Sequence, residues 1–142
     1  MASAAQLLER KPRVIHSIDP GSPVLEAIRR MAEHGIGALL VLDQGRLVGI
    51  VSERDYARKV ILKGRSSSET PVRDIMSTPL HTVSPAVSAQ ECMRIMTERR
   101  VRHLPVVDGA RLLGMLSIGD LVRAVLEEQA HTIEQLESYI HS

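Results

Sequence analysis

Two short motifs place a serine and an aspartate three residues apart at the end of an apolar stretch. They are Gly49-Ile-Val-Ser-Glu-Arg-Asp55 and Gly114-Met-Leu-Ser-Ile-Gly-Asp120. At this spacing the two side chains can form a capping box, which binds free backbone N–H groups at a helix start. The same pair suits a polar ligand, because a carboxylate accepts two hydrogen bonds from a diol such as a ribose and a hydroxyl serves a sugar or phosphate oxygen. Both interpretations, a helix cap and a binding site, are open. Gly119 inside the second motif is explained equally by close approach of a ligand or by a tight packing contact.

The two motifs belong to an internal repeat. A shift of 65 positions aligns Val14–Leu62 with Pro79–Glu127 without a gap and gives 16 identical pairs, including both serines and both aspartates of the motifs. Each copy has the pattern β-α-β-β-α. The sequence therefore predicts an α+β fold of two β-α-β-β-α repeats related by a pseudo-two-fold axis, with the two Ser-x-x-Asp motifs in one shared cleft.

Local signals place the first strand and helix of each copy. The first strands are predicted at Val14–Ile18 and Leu80–Val83. Ser22-Pro23 has the composition of an N-cap followed by the first helical residue, and Ser88-Ala-Gln-Glu91 has capping-box spacing. Gly35 is predicted to end the first helix.

A hairpin and a second helix follow in each copy. The strand pairs are predicted at Ala38–Leu42 with Leu47–Val51, joined by Asp43-Gln44-Gly45, and at Leu104–Val107 with Leu112–Leu116, around Asp108-Gly109. The second helices are predicted at Glu53–Lys63 and from Ile118 onward.

The repeat divides the chain into five segments. They are an N-terminal flank (1–11), a first repeat (12–65), a polar linker (66–73), a second repeat (74–128) and a C-terminal helical extension (129–142). An apolar stripe at helical spacing marks the end of the chain as an amphipathic helix and favours homodimerisation. The stripe consists of Leu121, Val125, Ile133, Leu136 and Ile140.

Composition narrows the classes of function. The formal net charge is +1, from 18 basic and 17 acidic side chains, so no broad field for nucleic acid or an anionic membrane is expected. The single Cys92, with no long apolar run and no signal pattern, predicts a cytoplasmic protein. No residues stand at metal-ligand spacing and no nucleophile motif is present, so the sequence predicts neither a metal site nor an enzyme.

Several stretches resemble the signature sequences of CBS domains, named after cystathionine β-synthase. They are Gly35–Asp43, Arg46–Asp55, Asp74–Met76, Arg102–Asp108 and Arg111–Asp120, and the resemblance spans about Pro12–Glu128. It implies a tandem CBS pair, or Bateman module, whose cleft binds AMP, ADP, ATP, S-adenosylmethionine or a dinucleotide such as NAD. In that family the motif serine and aspartate contact the ribose and phosphate.

The resemblance assigns site residues. Ser52 and Asp55 would serve one ligand, and Ser117 and Asp120 the other. The adenine would lie near Ile18, Gly37, Ala38 and Leu39 in the first copy and near Thr82, Val83, His103 and Leu104 in the second. The charge pattern, rather than the resemblance, adds Arg54, Lys59 and Arg102 as candidate phosphate contacts. Arg102 is equally explained as a cation that complements a helix dipole, and a patch such as that of Arg54 and Lys59 is more often solvated than bound to a ligand.

These observations predict a non-enzymatic regulatory module with no obligatory cofactor. It would bind an adenine nucleotide, form a homodimer and transmit its occupancy to a regulated protein partner. The alternative hypothesis is a dimerisation or interaction module that acts without a ligand.

Overall fold

A computed structural model describes residues 1–78 and 80–141, and Pro79 and Ser142 lie outside the described residues. The chain forms two units, each built around one copy of the repeat. The N-terminal unit is Ile15–His81, and the C-terminal unit combines Met1–Val14 with residues 82–141. The chain therefore starts in the C-terminal unit, leaves it to build the N-terminal unit, and then returns.

The elements follow the predicted mixture of helices and strands. In chain order they are α1 (Ala4–Glu9), β1 (Ser17–Ile18), α2 (Val24–His34), β2 (Ala38–Asp43), β3 (Arg46–Ser52), α3 (Glu53–Tyr56), a π-helical turn (Ala57–Ile61), a 3-10 turn (Val72–Asp74), α4 (Ala89–Arg99), β4 (His103–Asp108), β5 (Arg111–Ser117) and α5 (Ile118–His141). The α+β fold with two repeats is confirmed.

Both predicted hairpins are present. β2 pairs antiparallel with β3, and β4 pairs antiparallel with β5. The β2–β3 turn holds Gln44 and Gly45 at φ 51° and 81°, as a two-residue turn of the type common in hairpins requires. In each hairpin one face covers an aliphatic core, to which α2 contributes in the N-terminal unit and α1, α4 and α5 contribute in the C-terminal unit.

The first strand differs between the copies. β1 pairs parallel with β2, and the Leu40 N–H donates to the His16 carbonyl at 3.1 Å. The strand predicted at Leu80–Val83 is wrong, since only Val83 forms an isolated parallel bridge, to Val106. Pro105 occupies the position that aligns with Leu40 and has no N–H to donate, which shortens the ladder in the second copy.

The start of α2 also differs from the prediction. Pro23 is the capping residue itself, so the proposed Ser22 cap with Pro23 inside the helix is wrong. Two backbone carbonyls from the predicted linker bind the first-turn N–H groups instead. Val24 donates to Thr70 at 2.8 Å, and Leu25 donates to Ser67 at 2.9 Å. The linker residues therefore complete the helix that they follow in sequence.

The start of α4 agrees with the prediction in part. The Ser88 hydroxyl accepts the Glu91 N–H at 3.1 Å, while the Glu91 carboxylate binds Arg94 rather than closing the capping box. The Ala89 N–H donates to the Ala2 carbonyl at 2.8 Å. A backbone carbonyl of the N-terminal segment thus binds a first-turn N–H group of α4, as carbonyls of the linker do for α2.

The ends of α2 and α4 share one backbone conformation. Gly35 closes α2 in the left-handed region at φ 62°, as predicted. The aligned residue after α4 is Arg100, which adopts the same conformation at φ 55°. A residue with a Cβ is strained in this region, so the second copy carries a small local cost that the first copy avoids.

α5 begins in the C-terminal unit and extends well beyond its core. Leu121 and Ala124 are buried, Val125 is half-buried, and every residue from Leu126 to His141 is exposed. The predicted apolar stripe is therefore divided, with its first part in the core and its second part in solvent. Within the described part of the chain, no helix has the length and apolar character needed to cross a membrane.

Candidate functional site

Each Ser-x-x-Asp motif lies where a strand runs directly into a helix. β3 ends at Ser52 and α3 begins at the next residue, so Ser52 is the cap of α3. The Ser52 Oγ accepts the Asp55 N–H at 3.1 Å, and the Asp55 Oδ2 accepts the N–H and the hydroxyl of Ser52, both at 3.0 Å. The capping box is therefore confirmed in the first copy.

The second motif has the same geometry at the start of α5. The Ser117 Oγ accepts the Asp120 N–H at 3.3 Å. The Asp120 Oδ2 accepts the Ser117 N–H at 2.8 Å and its hydroxyl at 3.0 Å. Both aspartates are buried, with 8% of Asp55 and 7% of Asp120 exposed. A buried carboxylate needs partners for both of its oxygens, so the remaining contacts decide what the site can do.

In the N-terminal unit, the second carboxylate oxygen of Asp55 binds two side chains. Its Oδ1 accepts the Ser77 hydroxyl at 3.0 Å and forms an ion pair with Lys59 Nζ at 3.0 Å. Lys59 lies in the π-helical turn and also donates to the Ile75 carbonyl at 2.8 Å. Lys59 therefore ties the site aspartate to the segment that follows the 3-10 turn.

In the C-terminal unit, two cations bind Asp120. Lys11 Nζ lies 2.9 Å from its Oδ2, and Arg123 Nη2 lies 2.6 Å from its Oδ1. Burial alone raises the pKa of Asp120, but the hydrogen bonds from Lys11 and Ser117 outweigh it and hold this pKa below its ordinary value. Asp120 is therefore a buried anion, and its Arg123 partner is largely in solvent, with 66% of its side chain exposed.

Lys11 and Ser77 bind the two motif aspartates and are contacts that the sequence does not predict. Lys11 lies in the predicted N-terminal flank, and Ser77 is in the second repeat by sequence although it belongs to the N-terminal unit. Their contacts are equivalent in the two copies. The Ser77 N–H donates to the Ile50 carbonyl at 2.8 Å, and Lys11 Nζ donates at 2.8 Å to the carbonyl of Met115, which aligns with Ile50.

The glycines at the start of the two motifs are the sequence signal for this close approach. A Cβ on Gly49 would lie 2.6 Å from the Met76 Sδ, and a Cβ on Gly114 would lie 3.0 Å from the Leu8 Cδ2. The segments that carry Ser77 and Lys11 therefore cross the hairpins at these glycines. Gly119 has no such neighbour, since a Cβ there would meet Arg123 and Ser117 at 3.6 Å, so tight packing does not explain it.

The proposed adenine contacts occupy two environments. Ile18, Ala38, Leu39, Val83 and Leu104 are buried within their own units, whereas Thr82 is exposed. The backbone carbonyls of Gly37 and Arg102 accept the first N–H of α3 and α5, from Glu53 at 3.0 Å and from Ile118 at 2.9 Å.

The proposed polar contacts of the second copy lie closer to the motif. His103 is half-buried and stands directly opposite Ser117 in the β4–β5 ladder. Burial lowers the pKa of His103, and the nearby positive charge of Lys11 lowers this pKa further. A neutral imidazole beside a buried carboxylate offers both a hydrogen-bond donor and an acceptor. The side chains of Arg102 and Arg54 are exposed, as expected for solvated cations.

The geometry defines a class of protein, a duplicated α+β module that presents one capped aspartate at each strand-to-helix junction. The described residues contain no cluster of three or more His, Cys, Asp or Glu side chains able to hold a metal ion.

The model of the CBS domain family matches residues 6–62 and 72–127. The chain belongs to the CBS domain family and carries two such domains in tandem, as its resemblance to that family predicted.

Known relatives agree with this assignment. The CBS domain-containing protein CBSX3, mitochondrial, from Arabidopsis thaliana is 44% identical over 122 residues, which cover 82% of this chain and 59% of the relative. The chain thus spans less than two thirds of that relative's length. CBS domain-containing protein YhcV from Bacillus subtilis is 35% identical over 107 residues, covering 75% of this chain and 76% of YhcV.

Solved structures share the fold. A candidate signal-transduction protein with CBS domains from Burkholderia ambifaria is 51% identical, with a TM-score of 0.87 over 90% of this chain and 96% of that chain. A hexameric CBS-CP12 protein from bloom-forming cyanobacteria is 27% identical, with a TM-score of 0.76 over 86% of this chain and 70% of that chain. The proteins that this chain resembles are therefore CBS-domain proteins of regulatory or signalling type, and some of them assemble into oligomers.

Proposed function

We propose that this protein is a regulatory module that binds an adenine nucleotide, namely AMP, ADP, ATP or a related adenosyl ligand, at each of its Ser-x-x-Asp motifs and transmits this occupancy to a partner protein. The observation that carries the proposal is Asp120. It is a buried, ionised carboxylate whose Oδ1 is bound by a cation that stands mostly in solvent. Such an oxygen can exchange its partner for a ribose hydroxyl, while Oδ2 keeps the capping box intact.

The residues around each aspartate suit a nucleotide in the same way. A ribose diol that binds Oδ1 of Asp120 frees Arg123 to bind phosphate, since a guanidinium binds phosphate with paired donors. In the first copy, Lys59 stands in the equivalent place on Oδ1 of Asp55. Arg123 and Lys59 are therefore the two cations that we expect to move from carboxylate to phosphate.

Transmission follows from what else holds the aspartates. Asp55 binds Ser77, and Asp120 binds Lys11, so each carboxylate anchors a segment that crosses its hairpin. In the first copy Ser77 binds the same Oδ1 of Asp55 as the proposed ribose, so a ligand there changes how firmly the segment is held. In the second copy Lys11 binds Oδ2 of Asp120, so a ligand on Oδ1 acts on this segment through the charge of the shared carboxylate. A ligand shifts the balance between arrangements only by the difference in its affinity for them. The crossing segments are thus the proposed route from ligand to partner protein.

A second candidate function has its own supporting observation. Every carboxylate oxygen of Asp55 and Asp120 already has protein partners. A module that uses these aspartates only as helix caps would serve as a scaffold for protein interaction, without a ligand. A cap of this kind stabilises a helix by about 0.5–2 kcal/mol.

The test is calorimetric titration of Asp120→Asn and Asp55→Asn with AMP and ATP. Asparagine keeps the shape and one acceptor but removes the charge, so loss of a charge-assisted hydrogen bond of about 1.5–3 kcal/mol predicts at least about tenfold weaker binding at the altered site. Asp108→Asn, an exposed hairpin aspartate, is the matched control and should bind like wild type.

A thermal-shift panel of AMP, ADP, ATP, NAD and S-adenosylmethionine identifies the ligand class first. Stabilisation by one or more of these compounds supports the regulatory function. If none stabilises the wild-type protein, or if both asparagine variants melt earlier but bind nucleotide normally, the aspartates act only as helix caps and the scaffold function is correct.

A further inference from the structure

The C-terminal half of α5 carries an apolar stripe with strict spacing. The stripe residues recur at alternating intervals of four and three, which is the heptad spacing of a coiled coil. In heptad notation the a positions are Leu126, Ile133 and Ile140, and the d positions are Val122, Gln129 and Leu136. The five apolar members are all exposed, from 44% for Val122 to 73% for Ile140.

This part of the helix has little support from its own unit. All residues from Leu126 to His141 are exposed, and an isolated helix of about 12–15 residues is only marginally stable in water. A helix of this length with an apolar stripe along one face is stabilised by packing that face against another element. We therefore expect residues 122–140 to pack against another helix or protein surface.

The spacing identifies the partner as a helix. A repeat of 3.5 residues keeps its apolar seam facing a second helix that winds around it. The polar Gln129 interrupts the apolar seam once, at a d position. One more helix with the same seam would cover the stripe.

Charge identifies the second helix and its direction. With two copies of α5 antiparallel, Ile133 packs beside Gln129 of the second copy, and the Leu126 and Ile140 layers match Leu136 and Val122. This register brings Arg123 opposite Glu137 of the second copy, and by symmetry the pair occurs twice. In a parallel register residues 123 and 137 are about 21 Å apart along the axis, so the pair is lost.

We propose that residues 122–140 of α5 form an antiparallel two-helix coiled coil with α5 of a second copy of this chain. The inference rests on the seam of α5 and shares only Arg123 with the nucleotide proposal: Arg123 binds Asp120 through Nη2, and its other donors, on a side chain that is 66% exposed, remain for Glu137 of the second copy. It assigns the expected homodimer a specific surface, the exposed stripe, and a specific pair of ions, Arg123 with Glu137.

The first test replaces Ile133 with glutamate and measures mass by sedimentation velocity over a dilution series. Ile133→Glu should leave the fold unchanged, because Ile133 is 55% exposed, and should weaken dimerisation at least about tenfold, because it buries a charge in the seam. Ser138→Glu adds the same charge on the opposite face of the same exposed helix and should dimerise like wild type.

A second test sets the orientation. Glu137→Arg should weaken the dimer by placing arginines opposite each other, and Arg123→Glu combined with Glu137→Arg should restore it. Wild-type affinity in the single Glu137→Arg variant would refute the antiparallel pairing. A monomeric wild type, or an Ile133→Glu dimer of wild-type affinity, would refute the surface. A monomer that binds phosphatidylglycerol vesicles through Ile133 would assign the stripe to a membrane and likewise overturn the proposal.

Discussion

Lys11 is the contact whose removal tests the C-terminal site most directly. Its Nζ donates to the Asp120 carboxylate at 2.9 Å and to the Met115 carbonyl at 2.8 Å. A hydrogen bond to a charged group contributes about 1.5–3 kcal/mol, and the 34% exposure of the Lys11 side chain calls for a value in the lower part of that range. Lys11→Met, which keeps the aliphatic stem, should therefore lower the free energy of unfolding by about 2 kcal/mol at neutral pH.

The dependence of this loss on pH identifies its cause. The pKa of Asp120 is held below its ordinary value in the folded protein, so its stabilising contribution is present above the unfolded pKa of about 3.9 and is lost as the pH falls through the folded pKa. Removing Lys11 removes a main source of this lowering. The gap between wild type and Lys11→Met should be largest near neutral pH and should shrink below about pH 4.

Urea unfolding at a series of pH values measures both quantities. Lys63→Met, which removes an exposed lysine of the N-terminal unit, is the matched control and should change the free energy of unfolding by less than about 0.5 kcal/mol. A gap for Lys11→Met that stays equally large as the pH falls through the folded pKa of Asp120 would show that the bond to the Met115 carbonyl, and not the ion pair with Asp120, stabilises the site. No gap at neutral pH would refute the proposed role of Lys11.

Two further substitutions test the second copy. Arg100→Gly should raise the free energy of unfolding by about 0.5–1 kcal/mol, because it relieves the left-handed strain at φ 55°, whereas Arg99→Gly inside α4 should lower it by about as much. Denaturant unfolding measures both, and a destabilised Arg100→Gly variant would contradict the strain argument. Gly119→Ala should raise stability by up to about 1 kcal/mol, since its Cβ has room, and should weaken AMP binding if the ribose approaches the first turn of α5. Unchanged affinity by calorimetry would place the ligand away from that turn.

Most features that follow from neighbouring residues are predicted well by the sequence, with the Ser22 cap of α2 and the Glu91 half of the α4 capping box as exceptions. The correctly predicted features depend on residues within a few positions of each other. They are the two hairpin turns, the end of α2 at Gly35, and the capping boxes of the two Ser-x-x-Asp motifs. The strand at Leu80–Val83 failed because one residue, Pro105, removes a hydrogen bond that the aligned Leu40 makes. An internal repeat predicts the same strand or helix in both copies only where both copies have the hydrogen-bonding groups that form that element.

Contacts between distant parts of the chain are what the sequence leaves out. Lys11 meets a carboxylate 109 positions away, and Ser77 meets one 22 positions away. The repeat alignment begins at Val14, so it contains no partner for Lys11. The backbone carbonyls of Ser67 and Thr70 accept hydrogen bonds from the first turn of α2. Such backbone bonds do not depend on side-chain type, so the sequence pattern does not predict them.

The order in which the chain visits its two units has a consequence for biosynthesis. The N-terminal unit, Ile15–His81, can be completed by one continuous stretch as it leaves the ribosome. α1 and Lys11 are made before that stretch, but Gly114, Met115 and Asp120, against which they pack, are made after it. At about 5–20 residues per second, the apolar face of α1 waits roughly 5–20 seconds for its partners. During synthesis, the apolar side chains of α1, Leu7 and Leu8 among them, therefore remain without their native partners for that interval.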